Sequence, residues 1–90
     1  MRFAWSEEKN QILKATRGIG FEDVVAAYES SAFRNIVIHD HQEKYPGQMI
    51  MVIEIDDYLC RVPFVWQDSN TVFLKTIYPS RKEMRKWNKS

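Results

Sequence analysis

A chain of 90 residues suffices for one small domain with a single modest core, which excludes a multidomain enzyme. Its 44% hydrophobic and 28% charged residues, with only three glycines and three prolines, exclude a disordered or fibrous chain. The formal net charge of +1 gives no general pull towards nucleic acid, so any such binding has to rest on where the charges lie.

The opening "RFAW" reads as a short extended stretch. Ser6 follows as a helix N-cap, Glu7 and Glu8 sit where the helix dipole favours negative charge, and Gly18 offers a left-handed stop. A first helix is therefore predicted over about residues 6–17. "GFEDVVAAYES" supplies a second, in which Phe21, Val24, Val25 and Tyr28 form one apolar face.

After Ser31 the period changes from helical to alternating, with strand-like runs at "NIVIH", "MIMVIEI", "YLCRVPFVW" and "TVFLKTIY". A two-residue turn at Asp56-Asp57 opposes Ile55 to Tyr58, Ile53 to Cys60, Met51 to Val62 and Met49 to Phe64, and these form the face that the helices cover. Ile50, Val52 and Glu54 then share the other face with Leu59, Arg61 and Pro63. Trp66 is expected on the helix-packed face. A hairpin with Asp68, Ser69 and Asn70 at its tip would add Val72, Leu74, Thr76 and Tyr78 to that face and leave Phe73, Lys75 and Ile77 on the other. Pro79 ends the run, and Ser80 caps a short helix containing Arg81, Lys82, Arg85 and Trp87. The expected fold is α+β, a single domain over residues 1–90: two N-terminal helices on an antiparallel sheet of about four strands, with a short C-terminal helix.

Cys60 is the only cysteine and reads as a small buried hydrophobe. With no internal disulfide to form, no apolar signal core, and no apolar run near the ~18 residues of a membrane span, a cytoplasmic protein without membrane contact is expected. No Walker loop, dinucleotide glycine fingerprint, zinc-finger spacing or HExxH helix is present, and no cofactor is expected.

The charges are unevenly spread. From Asp68 onwards six Lys or Arg face two acids, whereas Glu7, Glu8, Glu22, Asp23 and Glu29 acidify the first third. Arg61, Lys75, Arg81 and Arg85 form the strongest cationic set, because arginine forks match phosphate oxygens and lysine adds a point charge. Lys44, Lys82 and Lys86 extend it as candidate RNA-binding residues. Metal-free RNA cleavage needs a base for the ribose 2′-hydroxyl, cations for the phosphorane and an acid for the leaving 5′-oxygen. The loop "IHDHQEKYPGQ" offers His39, His41 and Tyr45 for proton transfer. Two histidines two apart could share a metal, but no third ligand stands at a recognisable spacing, so no metal site is expected. Tyr45 and Tyr78 are candidates for base stacking, whereas Tyr58 is expected to pack in the core.

Residues 3–25, "FAWSEEKNQILKATRGIGFEDVV", resemble the opening of BrnT-family toxins, and "KTIYPSRKE" is similar to that family's last strand, Ser-Arg turn and basic helix. The resemblance implies a compact RelE-like ribonuclease, free of metal, that cuts RNA and halts translation until an antitoxin encoded by a neighbouring gene covers it. It aligns Arg81 with the arginine of the Ser-Arg turn, Lys75 with the basic residue of the preceding strand, and Arg61 with a cation on the sheet face. The alternative reading is a non-catalytic module binding RNA or a partner protein through the same surface.

Overall fold

The computed structural model describes residues 1–30 and 33–88. The elements run β1 (Arg2–Trp5), α1 (Glu7–Arg17), α2 (Phe21–Glu29), β2 (Phe33–Ile38), β3 (Met49–Ile55), β4 (Tyr58–Asp68), β5 (Thr71–Leu74), β6 (Tyr78–Pro79) and α3 (Arg81–Asn88). The strands form one sheet in the order β1-β5-β4-β3-β2, and β6 pairs with β4 beyond the end of β5.

Helix α1 begins and ends as its sequence dictates. The Ser6 hydroxyl accepts the Lys9 N–H at 3.2 Å, and Gly18, at φ 73°, adopts the left-handed conformation that lets its N–H close on the Lys14 carbonyl. Buried Asn10 then caps α2 from α1: its Oδ1 accepts the Phe21 N–H at 2.7 Å, and its Nδ2 donates to both Glu22 oxygens. The close approach requires Gly20, where a Cβ would lie 2.8 Å from Asn10 Oδ1 and 2.7 Å from the Lys14 side chain.

Those bonds, led by Asn10 and joined by Lys14 at 3.1 Å, pull the Glu22 carboxyl down to about 2. A depressed folded value means that the stabilisation is present above the ordinary value of 4.5 and lost as pH falls towards 2. Thermal melts should therefore shift downwards over that range, and Glu22→Gln should flatten this part of the profile. An unchanged acid profile in Glu22→Gln would mean that the cluster contributes nothing to acid sensitivity.

One face of the sheet carries the core. Met51, Ile53, Cys60, Val62, Phe64, Val72, Leu74 and Ile77 pack there against Leu13 of α1 and Phe21, Val24 and Ala27 of α2. The β3–β4 register is the expected one at every pair from Met49–Phe64 to Ile55–Tyr58. Asp56 and Asp57 turn the chain at φ 53° and 62°, the paired positive angles of a tight hairpin turn. Burial, with a smaller contribution from Asp56, pushes the Cys60 thiol up to about 11 and leaves it inert.

Three expectations need correction. The sheet has six strands and is mixed, because "RFAW" is a true edge strand lying parallel to β5, with Arg2 opposite Thr71 and Trp5 opposite Leu74. Its aromatics hold it down: Phe3 meets Tyr28 edge-on at 5.4 Å, and Trp5 lies 5.6 Å from Phe21. Trp66 falls on the expected face, opposite Val72 and edge-on to Phe64 at 6.1 Å, but is 51% exposed rather than packed in the core. The run "TVFLKTIY" is not one strand. Continuing the β4–β5 register would oppose Tyr78 to Cys60, yet Tyr78 opposes Arg61, so one extra residue is accommodated between Leu74 and Tyr78. The bulge sends Ile77 into the core at 0% exposure and turns Thr76 and Tyr78 to the opposite face.

Candidate functional site

The second face of the sheet is covered only in part. Asn35, Val52, Arg61 and Tyr78 stand opposite one another across β2, β3, β4 and β6, with Val37, Ile50 and Pro63 in the adjoining row. Helix α3 lies over the Leu59 side of this face: Ser80 donates its N–H to the Leu59 carbonyl at 3.0 Å, and Met84 Sδ accepts the Leu59 N–H at 3.3 Å. Ser80 caps the helix through its hydroxyl, which accepts the Glu83 N–H at 3.2 Å. A shallow cleft between helix and sheet is lined by Val37, Val52, Leu59, Glu83, Lys86 and Trp87, among others.

On the other flank a cleft of about 360 Å³ opens between the β2–β3 loop and the β5–β6 bulge, lined by His39, Tyr45, Gln48, Pro63, Lys75, Thr76 and Tyr78. The bulge makes this lining possible. The Lys75 N–H still bonds the Pro63 carbonyl at 2.8 Å, and Tyr78 then faces the same side as Lys75.

The loop is braced internally. His39 donates its N–H to the Gln48 carbonyl at 3.0 Å, and Gln42 Nε2 donates to the carbonyls of both His39 and Gln48. Gln42 Oε1 accepts the Gly47 N–H at 3.1 Å, so one glutamine ties both ends of the loop together. Its role was not readable from sequence, where it is one polar loop residue among several. His39 Nδ1 accepts the His41 N–H at 3.1 Å, which leaves Nε2 as the protonated nitrogen of the neutral ring. The His39 and Tyr45 rings meet at a tilt of 44° with centroids 4.6 Å apart, and Lys44 Nζ lies 5.4 Å from the Tyr45 ring centre.

Arg61 sits between the two clefts. Its side chain is 12% exposed, with Nη2 3.8 Å from Asp40 of the loop and Nε 3.9 Å from Glu83 of α3. Neither sequence-distant acid was expected there. Nε is buried with no hydrogen-bond partner among the described residues.

The expected site residues are thus brought together in part. His39, Tyr45 and Lys75 share one cleft, Arg61 adjoins it, and Lys44 lies behind Tyr45. His41 is exposed, its ring 6.1 Å from that of His39, and among the described residues no three His, Cys, Asp or Glu side chains converge as a metal site. Arg81, Lys82, Arg85 and Lys86 are exposed on α3, Arg81 in its first turn beyond β6 and Lys86 at the edge of the cleft between helix and sheet. Among the described residues no helix is long and apolar enough to cross a membrane.

No family model matches the sequence, and no curated protein matches it. The solved structure of BrnT, the ribonuclease toxin of Brucella abortus, superposes with a TM-score of 0.66 over 89% of this chain and 96% of that one, at 16% sequence identity. The chain has the BrnT fold. An α+β domain of three helices and a six-stranded sheet is thereby matched over most of its length. At 16% identity the likeness establishes architecture, and the chemistry of the open face has to be argued from the residues of this chain.

Proposed function

We propose that this protein is the toxin of a two-gene toxin–antitoxin pair: a metal-independent ribonuclease that acts in the cytoplasm, cuts RNA, and inhibits translation until a neighbouring gene's product neutralises it. The observation that carries this reading is the convergence of Lys75, His39 and Tyr45 on one cleft beside Arg61, on the open face of a BrnT-like fold.

In the reaction, the ribose 2′-oxygen attacks the adjacent phosphorus as a base takes its proton, and a pentavalent phosphorane forms. The bond from phosphorus to the 5′-oxygen then breaks and an acid protonates that oxygen, giving a 2′,3′-cyclic phosphate and a 5′-hydroxyl. Lys75 and Arg61 oppose the charge that accumulates on the phosphorane. His39 and Tyr45 handle the protons, with His41 on the same loop as a further proton-transfer candidate. Tyr78 supplies an aromatic surface for a base. The Ser-Arg resemblance adds Arg81 to the groups on the reacting phosphate. Lys44, Lys82, Arg85 and Lys86 hold flanking phosphates.

The purified protein should cleave RNA in the presence of a strong chelator and leave 5′-hydroxyl ends. Its induced expression should arrest bacterial growth, and co-expression of the neighbouring gene should relieve the arrest. RNA binding without cleavage would instead favour the non-catalytic module, and cleavage abolished by the chelator would overturn the metal-free mechanism.

A further inference from the structure

Arg61 is in an unusual state for a cation that is mostly buried. A desolvated guanidinium normally satisfies its donors with close, forked hydrogen bonds. Here both neighbouring carboxylates stand at 3.8 and 3.9 Å, beyond hydrogen-bonding distance, and the buried Nε is unpartnered among the described residues. The charge is compensated while Nε makes no hydrogen bond among the described residues.

The two acids are not equivalent. Glu83 is 14% exposed, faces Nε, and belongs to a helix anchored to Leu59 on the adjoining residue of β4. Asp40 is 56% exposed, faces Nη2, and belongs to the loop that bounds the cleft. The Nη edge is therefore the one an incoming anion can reach, and Asp40 is the group in its way.

Resting on the reading of this face as an RNA site, we infer that Asp40 is a built-in competitor for the phosphate at Arg61, and that Glu83 is the positioning residue that holds Arg61 when Asp40 is displaced. A phosphate oxygen taking the place of Asp40 makes the short, charge-assisted bonds that the carboxylate does not. The exposed pair is weak and easily given up, whereas the pair beneath α3 is screened much less. No covalent step is involved.

The test uses the full-length protein and a 2′-O-methyl RNA oligonucleotide, which lacks the attacking hydroxyl and so reports binding alone. Asp40→Asn should tighten binding about three- to tenfold. The gain should vanish in an Arg61→Gln background, and it should exceed that of Glu43→Gln, which removes the same charge from the same loop. Glu83→Gln should weaken binding and, unlike a purely structural change, should abolish the gain from Asp40→Asn. Equal gains with and without Arg61, or equal gains from Asp40→Asn and Glu43→Gln, would reduce Asp40 to general loop charge and overturn the inference.

A second arm needs no RNA and no change at Arg61. Inorganic phosphate titrated into 15N-labelled protein should move the Arg61 Nε–H resonance, and saturation should come at lower phosphate in Asp40→Asn. That result in a protein that binds no RNA would sustain the competitor and refute the RNA reading. RNA binding with both Asp40→Asn measurements unchanged would do the reverse. Should Arg61→Gln fail to fold, the phosphate titration decides alone.

Discussion

Val62→Asp is expected to leave the protein unfolded at room temperature, with the circular dichroism of a disordered chain and no cooperative melt. Val62 is 0% exposed and lies on the helix-packed face opposite Met51, within the single cluster that joins both helices to the sheet. A carboxylate there is shut away from solvent among apolar side chains, and such a change costs roughly 3 kcal/mol or more. Domains have only about 5–15 kcal/mol of stability, and one of this size sits near the lower end. Neutralising the acid to escape ionisation would still leave a polar group buried without a partner. Val65→Asp is the control: Val65 is on the same strand but on the opposite face and only half-buried, so it should keep the cooperative melt. A Val62→Asp protein with near-native stability would show that the sheet faces are reversed.

The second large effect concerns the chemistry. Lys75→Ala is expected to lower RNA cleavage ~10²-fold or more while the melting temperature stays within a few degrees of the parent protein. Lys75 is exposed at the lip of the cleft and holds its place through its backbone N–H, which the alanine retains, so the fold loses little. The ammonium also lies 5.2 Å from the Phe73 ring, a contact that restrains its stem while leaving the charge available. Arg81→Ala should fall to a similar degree if its guanidinium meets the reacting phosphate, because Lys82 beside it cannot reproduce a bidentate fork. Lys86 is exposed on α3 at the edge of the cleft beside the sheet, and Lys86→Ala should mainly weaken salt-sensitive binding. Cleavage rates of the folded variants at equal concentration decide the matter. Parity of Lys75→Ala with Lys86→Ala would remove the cleft from the catalytic assignment, and parity of Arg81→Ala with Lys86→Ala would make Arg81 one more solvated charge.

Legibility of this sequence depended on how locally each feature is determined. The β3–β4 pairing could be read pair by pair, because two aspartates that tolerate positive φ fix the turn and an apolar alternation on both sides fixes the faces. The caps at Ser6, Gly18 and Ser80 were equally local. Beyond Leu74 the period-two pattern failed, since a bulge of one residue leaves no mark in composition and is decided by whether Ile77 or its neighbours reach the core. Asn10 reads as a surface helix residue until the α1–α2 turn brings it to the Phe21 N–H. In the candidate site, the residue types and the shared face of Arg61 and Lys75 were visible in advance. The union of His39 and Tyr45 with Lys75 depended on how the long loop folds back, and the acids beside Arg61 come from the two elements that flank β3 and β6.

The pairing of β1 with β5 has a temporal side. Arg2 to Trp5 are made well ahead of Thr71 to Leu74, the strand with which they pair. During synthesis β1 must wait for every element from α1 to β4 before its partner is made, because the long-range contact that closes this side of the sheet cannot form piecemeal. The bulge, β6 and α3 come later still, so Lys75, Tyr78 and Glu83 reach the second face only as Ile77 completes the core. Whatever this face does, a chain that stops before β6 and α3 cannot do it.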